Sequence, residues 1–302
     1  DVLVFDYDKD GDEDFIAVGE WMGVSFFNNH KGNFTLDTTQ VEMASTIGWW
    51  NSIYPFDFDQ EIQMELLLGN IGGNNKYHPS QENPLHVYHE DFDENGITDI
   101  VLAKHQKDAF YPVRGRQCSS QQMPNIVDKF PTYTKYSTAE LTEIYSNDKL
   151  NHALHIEARE FRNGYLKKTD DKWQFIAFSN ELQIGPVNAF VEMDVTGDGR
   201  NEIIIAGNKY EAEVETARYD SSFGAVVKFT KDSYEIIDPM ETGLLLNFNV
   251  KDVQKVGKWI VVGVTMTLLK SIKAIKGFAQ KISNNNWSAI IFPEGTRSKT
   301  GH

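Results

Sequence analysis

Five times along the chain a polar stretch is followed by a short run rich in β-branched residues and leucine: FIAV at 15–18, ELLLG at 65–69, DIVLA at 99–103, EIIIAG at 202–207 and WIVVGV at 259–264. Runs this short, bounded by turn formers, predict buried strands rather than helices. Between them lie further strand-like stretches, such as MGVSFFNN and AVVKF, punctuated by Gly, Asn and Asp. A tight turn feeding a short buried strand, repeated along the chain, predicts an array of small sheets. Two segments break the pattern. In STAELTEIYSNDKLNHALHIEAREF, residues 137–161, Leu141, Ile144 and Tyr145 have helical spacing, and Ser137 with Glu140 reads as a capping box, so a helical excursion is expected. Beyond residue 264, Leu268, Ile272, Ile275, Ala279 and Ile282 mark one helical face, SNNN turns the chain and WSAIIF reads as a strand. A helix followed by a buried strand belongs to an α/β layer.

The polar stretches are acidic in a particular way. DYDKDGDED starts at Asp6, DFDQEIQME at Asp57, DFDENGITD at Asp91 and DVTGDGRNE at Asp194, with a weak echo at Asp252 that keeps the strand but not the acids. In the first, Asp6, Asp8 and Asp10 occupy positions 1, 3 and 5, Gly11 position 6, Asp12 position 7 and Asp14 position 9. Alternate positions point inward around a small sphere, glycine permits the sharp turn and position 7 offers a carbonyl, which together make an oxygen shell suited to calcium. Carboxylates so close repel by roughly 4 kcal/mol per contacting pair at an effective dielectric near 20, so a hard cation is the natural compensator. An EF-hand would close with a bidentate Glu at position 12 on a helix, whereas position 12 here is Ala17, Leu102 or Ile205, all in β-type runs. The expected ligands are therefore Asp6, Asp8, Asp10, Asp12 and Asp14; Asp91, Asp93, Asn95 and Asp99; and Asp194, Thr196, Asp198 and Glu202, each set in a strand-to-strand turn. The second copy, with Ile62 in place of the turn glycine, is not expected to hold calcium.

The pattern DxDxDGxxD, followed by a short apolar strand and G or GN, resembles the FG-GAP/VCBS repeat of integrin-type β-propellers and bacterial surface proteins. The resemblance covers about residues 1–263 and implies a mainly β chain: a partial β-propeller of about four to five blades with a helical insertion, structural calcium, and a binding or adhesive role toward a protein or glycan outside the cytoplasm, at the cell surface or in the periplasm.

A formal charge of −15 argues against nucleic acid or anionic membrane as the main partner. The one cysteine, Cys118, excludes an internal disulfide. The longest apolar run, near 259–269, is too short to span a bilayer, and the start at Asp1, within a strand-like DVLVF, predicts a fragment. Charge also changes along the chain. Residues 264–302 carry a single acid, Glu294, against Lys270, Lys273, Lys276, Lys281, Arg297 and Lys299, so the domains are expected at 1–263 and 264–302.

Within that tail, AIIFPEGTRSKTGH resembles the FPEGTRS block of lysophosphatidic acid (1-acylglycerol-3-phosphate) acyltransferases. The resemblance implies a short α/β acyltransferase-like fragment in which Glu294, Gly295 and Arg297 help bind the acyl acceptor, with the guanidinium on its phosphate. It also implies, as the alternative function, inner-membrane phosphatidic acid synthesis from lysophosphatidate and an acyl donor. No catalytic residue is assigned, because the His and Asp dyad of that family lacks a credible counterpart: His86 and Asp91 have the dyad's spacing, but Asp91 already opens the third acidic loop. His152 and His155 are expected three apart on a helix, as a surface pair rather than a zinc site. GNIGGNN, residues 69–75, reads as a tight hairpin, and Cys118 as inert.

Overall fold

The computed structural model describes residues 1–58, 64–106, 108–169, 172–213, 215–231, 233–265 and 289–293. The chain opens with β1 (Val2–Val4), β2 (Phe15–Ala17), β3 (Glu20–Met22), β4 (Ser25–His30) and β5 (Asn33–Leu36), then α1 (Val41–Ala44), β6 (Gly48–Trp49), β7 (Ser52–Phe56) and β8 (Glu65–Gly69). Next come β9 (Leu85–Glu90), β10 (Asp99–Gln106) and β11 (Ala109–Pro112), five short helices α2 (Arg116–Gln122), α3 (Ile126–Lys129), α4 (Tyr133–Ser137), α5 (Leu141–Ile144) and α6 (Asn147–His152), and β12 (Leu154–Ala158). The remainder is β13 (Gly164–Thr169), β14 (Lys172–Ala177), β15 (Val187–Met193), β16 (Glu202–Gly207), β17 (Ala225–Phe229), β18 (Tyr234–Ile237), α7 (Pro239–Thr242), β19 (Asn249–Val256), β20 (Trp259–Thr265) and β21 (Ala289–Pro293).

The chain is mainly β, in several antiparallel sheets. Three are four-stranded meanders in the orders β1-β2-β4-β5, β7-β8-β13-β14 and β15-β16-β17-β18, and β19-β20-β21 follows with its last pair parallel. Their first strands touch in succession, β1 to β7, β7 to β15 and β15 to β19. The sheets stack face to face, and the period-2 alternation of a strand explains why their second strands read as unbroken apolar runs. On β8, Leu66 and Leu68 point into a core shared with Ile16, Phe26, Trp50 and Trp173. Leu67 points the other way, against Val187, Phe190, Ile203 and Ile205. On β16, Ile203 and Ile205 face that second core while Ile204 packs with Val250, Val253, Ile260 and Val262 in a third. Each such side chain, buried on folding, contributes on the order of 1.5–3 kcal/mol.

The repeat order differs from a simple file of units. The second sheet is assembled from β7 and β8 and, after a long excursion, β13 and β14; the sheet carrying the third acidic motif, β11-β10-β9-β12, lies inside that excursion. Without the insertion, the second and fourth motifs follow each other at a spacing like that of the first two. GNIGGNN is correspondingly no hairpin, since β8 passes through it into a different sheet. It is a brace: buried Asn70 donates its amide to the Glu160 carbonyl at 2.9 Å and accepts from the Trp49 N–H, while Gly69 has no room for a side chain, its Cβ falling 2.2 Å from the Val187 oxygen. Asn208, at the matching end of β16, bonds the carbonyls of Ser222 and Phe248.

The helical excursion is present between β11 and β12, but it ends earlier than its pattern suggests. The capping box is Glu140 with Glu143, one turn beyond Ser137 with Glu140, because Ser137 closes α4. His152 ends α6, whereas His155 lies on β12, so the two do not share a helix face. The excursion's aliphatic and aromatic residues, among them Met123, Tyr136, Leu141 and Tyr145, cover Val101 and Ala103 on one face of the inserted sheet. Leu85 and Ala158 dock its other face near Phe161, Trp49 and Tyr77. At the far end, β20 runs across the expected boundary at 263 and 264, with Val264 in the third core, and the strand expected in WSAIIF is β21. The helix expected over 268–282 lies outside the described residues. No helix among the described residues is long and apolar enough to cross a membrane.

Candidate functional site

Each well-formed acidic motif is the hairpin between two antiparallel strands: β1 and β2 for the first, β9 and β10 for the third, β15 and β16 for the fourth. All three loops share one hydrogen-bond skeleton. The carboxylate at position 1 accepts backbone N–H groups from the turn: Asp6 from Asp10 and Gly11, Asp91 from Asn95 and Gly96, Asp194 from Gly197 and Gly199, at 2.7–3.1 Å. The side chain at position 5 accepts from the N–H two residues on, in Asp10, Asn95 and Asp198 alike. Position 6 is glycine with φ of +98°, +85° and +86°, a left-handed backbone that disfavours a Cβ. Position 4 is left-handed too, at Lys9, Glu94 and Gly197.

Position 9 has a role that its spacing does not announce. Asp14, Glu65, Asp99 and Glu202 are all buried, and each accepts the N–H of position 2: Tyr7, Phe58, Phe92 and Val195. The second loop therefore keeps this brace although it lacks the turn glycine. Asp14 takes a second N–H from Asn29 of β4, which ties the loop to the next strand. Burial pushes the Asp14 and Asp99 carboxyls above the ordinary range despite these bonds.

The centres of the loops differ. In the first, ligand oxygens of Asp6, Asp8 and Asp10 lie within 4.8 Å of one another; in the third the same holds for Asp91, Asp93 and Asp99. Asp93 Oδ1 is buried without a hydrogen-bond partner. Among the described residues no lysine or arginine forms an ion pair with Asp6, Asp8, Asp10, Asp91 or Asp93, although Lys149 braces the third loop from outside, through the Asp91 carbonyl and the Glu94 carboxylate. The Asp12 carboxylate accepts the Lys31 N–H and lies with Asp10 and His30, ligand atoms of the three within 4.8 Å of one another. In the fourth loop the Lys228 ammonium, from β17, pairs with Asp198 and lies 3.8 Å from Glu202, and Thr196 donates its hydroxyl to Glu202. The hydrogen bond from the Lys228 ammonium is the main cause of the lowered Asp198 pKa. Lys228 lies outside the motif, and its spacing gave no signal; only its place on the strand paired with β16 shows it.

Residues 6–68 match the model of an FG-GAP-like repeat. The matched stretch begins at the first acidic loop and ends on β8, so it takes in the degenerate second motif as well as the first. No curated protein is significantly similar to the chain. The FG-GAP-like repeat over residues 6–68, beside the succession of antiparallel sheets, suggests a β-propeller-type repeat module. The acyltransferase reading gains nothing comparable: Glu294, Gly295 and Arg297 lie outside the described residues, and the His86 ring meets His155 rather than Asp91. Cys118 is half-buried on α2.

Proposed function

We propose that this chain is part of a β-propeller whose first and third acidic loops bind structural calcium, and that it serves as a binding or adhesive module toward a protein or glycan outside the cytoplasm. One observation carries the calcium: the same kind of loop is completed by an ammonium in the fourth loop, while in the first and third loops carboxylates face each other with no side-chain cation among them from the described residues. Asp93 Oδ1, buried and without a partner, is an acceptor waiting for such a cation. The fit is reasonable, since a calcium ion with oxygens at about 2.4 Å can join oxygens up to about 4.8 Å apart. Asp6, Asp8 and Asp10 would hold it in the first loop, and Asp91, Asp93, Asn95 and Asp99 in the third. Asp14 would act there mainly as the brace. The ion would supply charge balance to the hairpin and so stability by linkage. The FG-GAP-like repeat supports the binding role and the compartment. The test is a thermal melt of the full chain in calcium and in EDTA: calcium is expected to raise the midpoint, and equal midpoints would refute the reading.

A further inference from the structure

We propose a second metal site, of a different kind, on the inserted sheet: His86, His155 and Glu157 form a cradle for a zinc-type cation. The three come together by strand pairing. His86 on β9 faces Glu157 on β12, and the neighbouring pair on the same face is Tyr88 with His155. His86 Nδ1 lies 2.8 Å from His155 Nε2 and 3.7 Å from Glu157 Oε1, and all three ligand atoms fall within 4.8 Å of one another. With metal–ligand bonds of about 2.0–2.1 Å, tetrahedral zinc sets neighbouring ligand atoms about 3.3 Å apart, a value between those two separations.

The surroundings hold the ligands in place. His86 is buried, with Phe110 edge-on to its ring at 4.8 Å. Tyr88 stacks on His155 at 4.3 Å, with the planes 1° apart. Arg159 engages Glu157 Oε2 and the Gln81 carbonyl, which leaves Oε1 turned to the histidines. Ligating carboxylates are commonly held by an outer hydrogen bond, as Arg159 holds Glu157 here, although the guanidinium also lessens the attraction for a cation. Two imidazoles and one carboxylate suit zinc and its neighbours rather than calcium, which takes oxygen. His155 is exposed, so the fourth position opens to water.

The test is zinc titration of the full chain by calorimetry in excess calcium, with cobalt(II) as a spectroscopic probe of coordination. One equivalent of zinc is expected, with visible cobalt bands of a four-coordinate site. His155→Ala and Glu157→Gln should each weaken zinc by more than about tenfold, while calcium binding stays unchanged. His155 and Glu157 lie at an exposed sheet edge, so these changes spare the core. Absence of zinc binding would leave only a hydrogen-bonded imidazole pair and overturn the proposal. So would zinc binding that neither variant alters, which would place the metal on the acidic loops.

Discussion

In the first acidic loop Asp6, Asp8 and Asp10 face one another across the turn; in the fourth, Lys228 reaches from the neighbouring strand to Asp198 and Glu202. The turn is built alike in both, with left-handed residues at positions 4 and 6 and a position-1 carboxylate that accepts the position-6 N–H together with one from position 5 in the first loop and position 4 in the fourth. The difference teaches that two tasks are separable in this motif. Folding the hairpin is done by carboxylates that accept backbone N–H groups, above all the buried one at position 9. Balancing the charge in the centre is a second task, which can fall to an external ion or to a lysine.

The largest effect should come from removing what the loops share. Asp14→Ala strands two backbone donors, Tyr7 and Asn29, and Glu202→Ala strands those of Val195 and Thr196. Hydrogen bonds to charged acceptors are worth about 1.5–3 kcal/mol each, so either variant should lose about 3 kcal/mol in urea unfolding, with or without calcium. A loss below about 1 kcal/mol in one of them would show that the brace is not common to both loops.

Calcium should then separate the loops. At a tenfold excess over its dissociation constant, one site gains about 1.4 kcal/mol, which in a protein this large moves the midpoint by about 2–4 °C per kcal/mol. Asp8→Asn and Asp93→Asn should each abolish one share of that gain, and Asp198→Asn none of it. If Asp198→Asn reduced it equally, the distinction between loops would fall.

A smaller effect tests the lysine directly. Lys228→Met removes the fourth loop's own cation and leaves Asp194, Asp198 and Glu202 together, so this loop should become calcium-responsive: slightly less stable than wild type in EDTA and level with it in calcium. Equal deficits in both conditions would mean that Lys228 acts through packing alone.

How much of this was legible beforehand follows from the distance along the chain over which each feature is encoded. The loops and the strands after them are local, so the spacing of Asp6 to Asp14 and the run Ile203–Ile205 identified both. Pairing across the long excursion is not local: nothing in ELLLG says that its next partner begins at Gly164, and the inserted sheet was therefore read as one more unit in the file. HALH looked helical because His152 and His155 are three apart, but the chain changes from α6 to β12 between them, and tertiary pairing with β9 decides where His155 goes. Lys228 is the same kind of case, a side chain whose role comes from the strand beside it.

The subtlest difference is in the response to acid. In calcium-free protein Asp14 and Asp99 have pKa values raised by burial, so the folded state binds protons more readily than the unfolded chain, whose aspartates titrate at about 3.9. Their contribution to stability therefore decreases as pH rises from the ordinary aspartate value through the raised one. Asp198 has the opposite sign: its pKa is lowered, chiefly by the hydrogen bond from Lys228, so its contribution is present above the ordinary value and is lost as pH falls through the lowered one. Carboxyl-carbon NMR titration in EDTA should place the Asp14 and Asp99 midpoints above that of an unfolded aspartate and the Asp198 midpoint below it. Lys228→Met should move Asp198 upward, toward the others, and leave Asp14 where it was. An Asp198 midpoint that stays low in the variant would mean that the turn N–H groups, not the ammonium, hold that carboxylate ionised, and the two loops would then differ in sequence but not in their electrostatics.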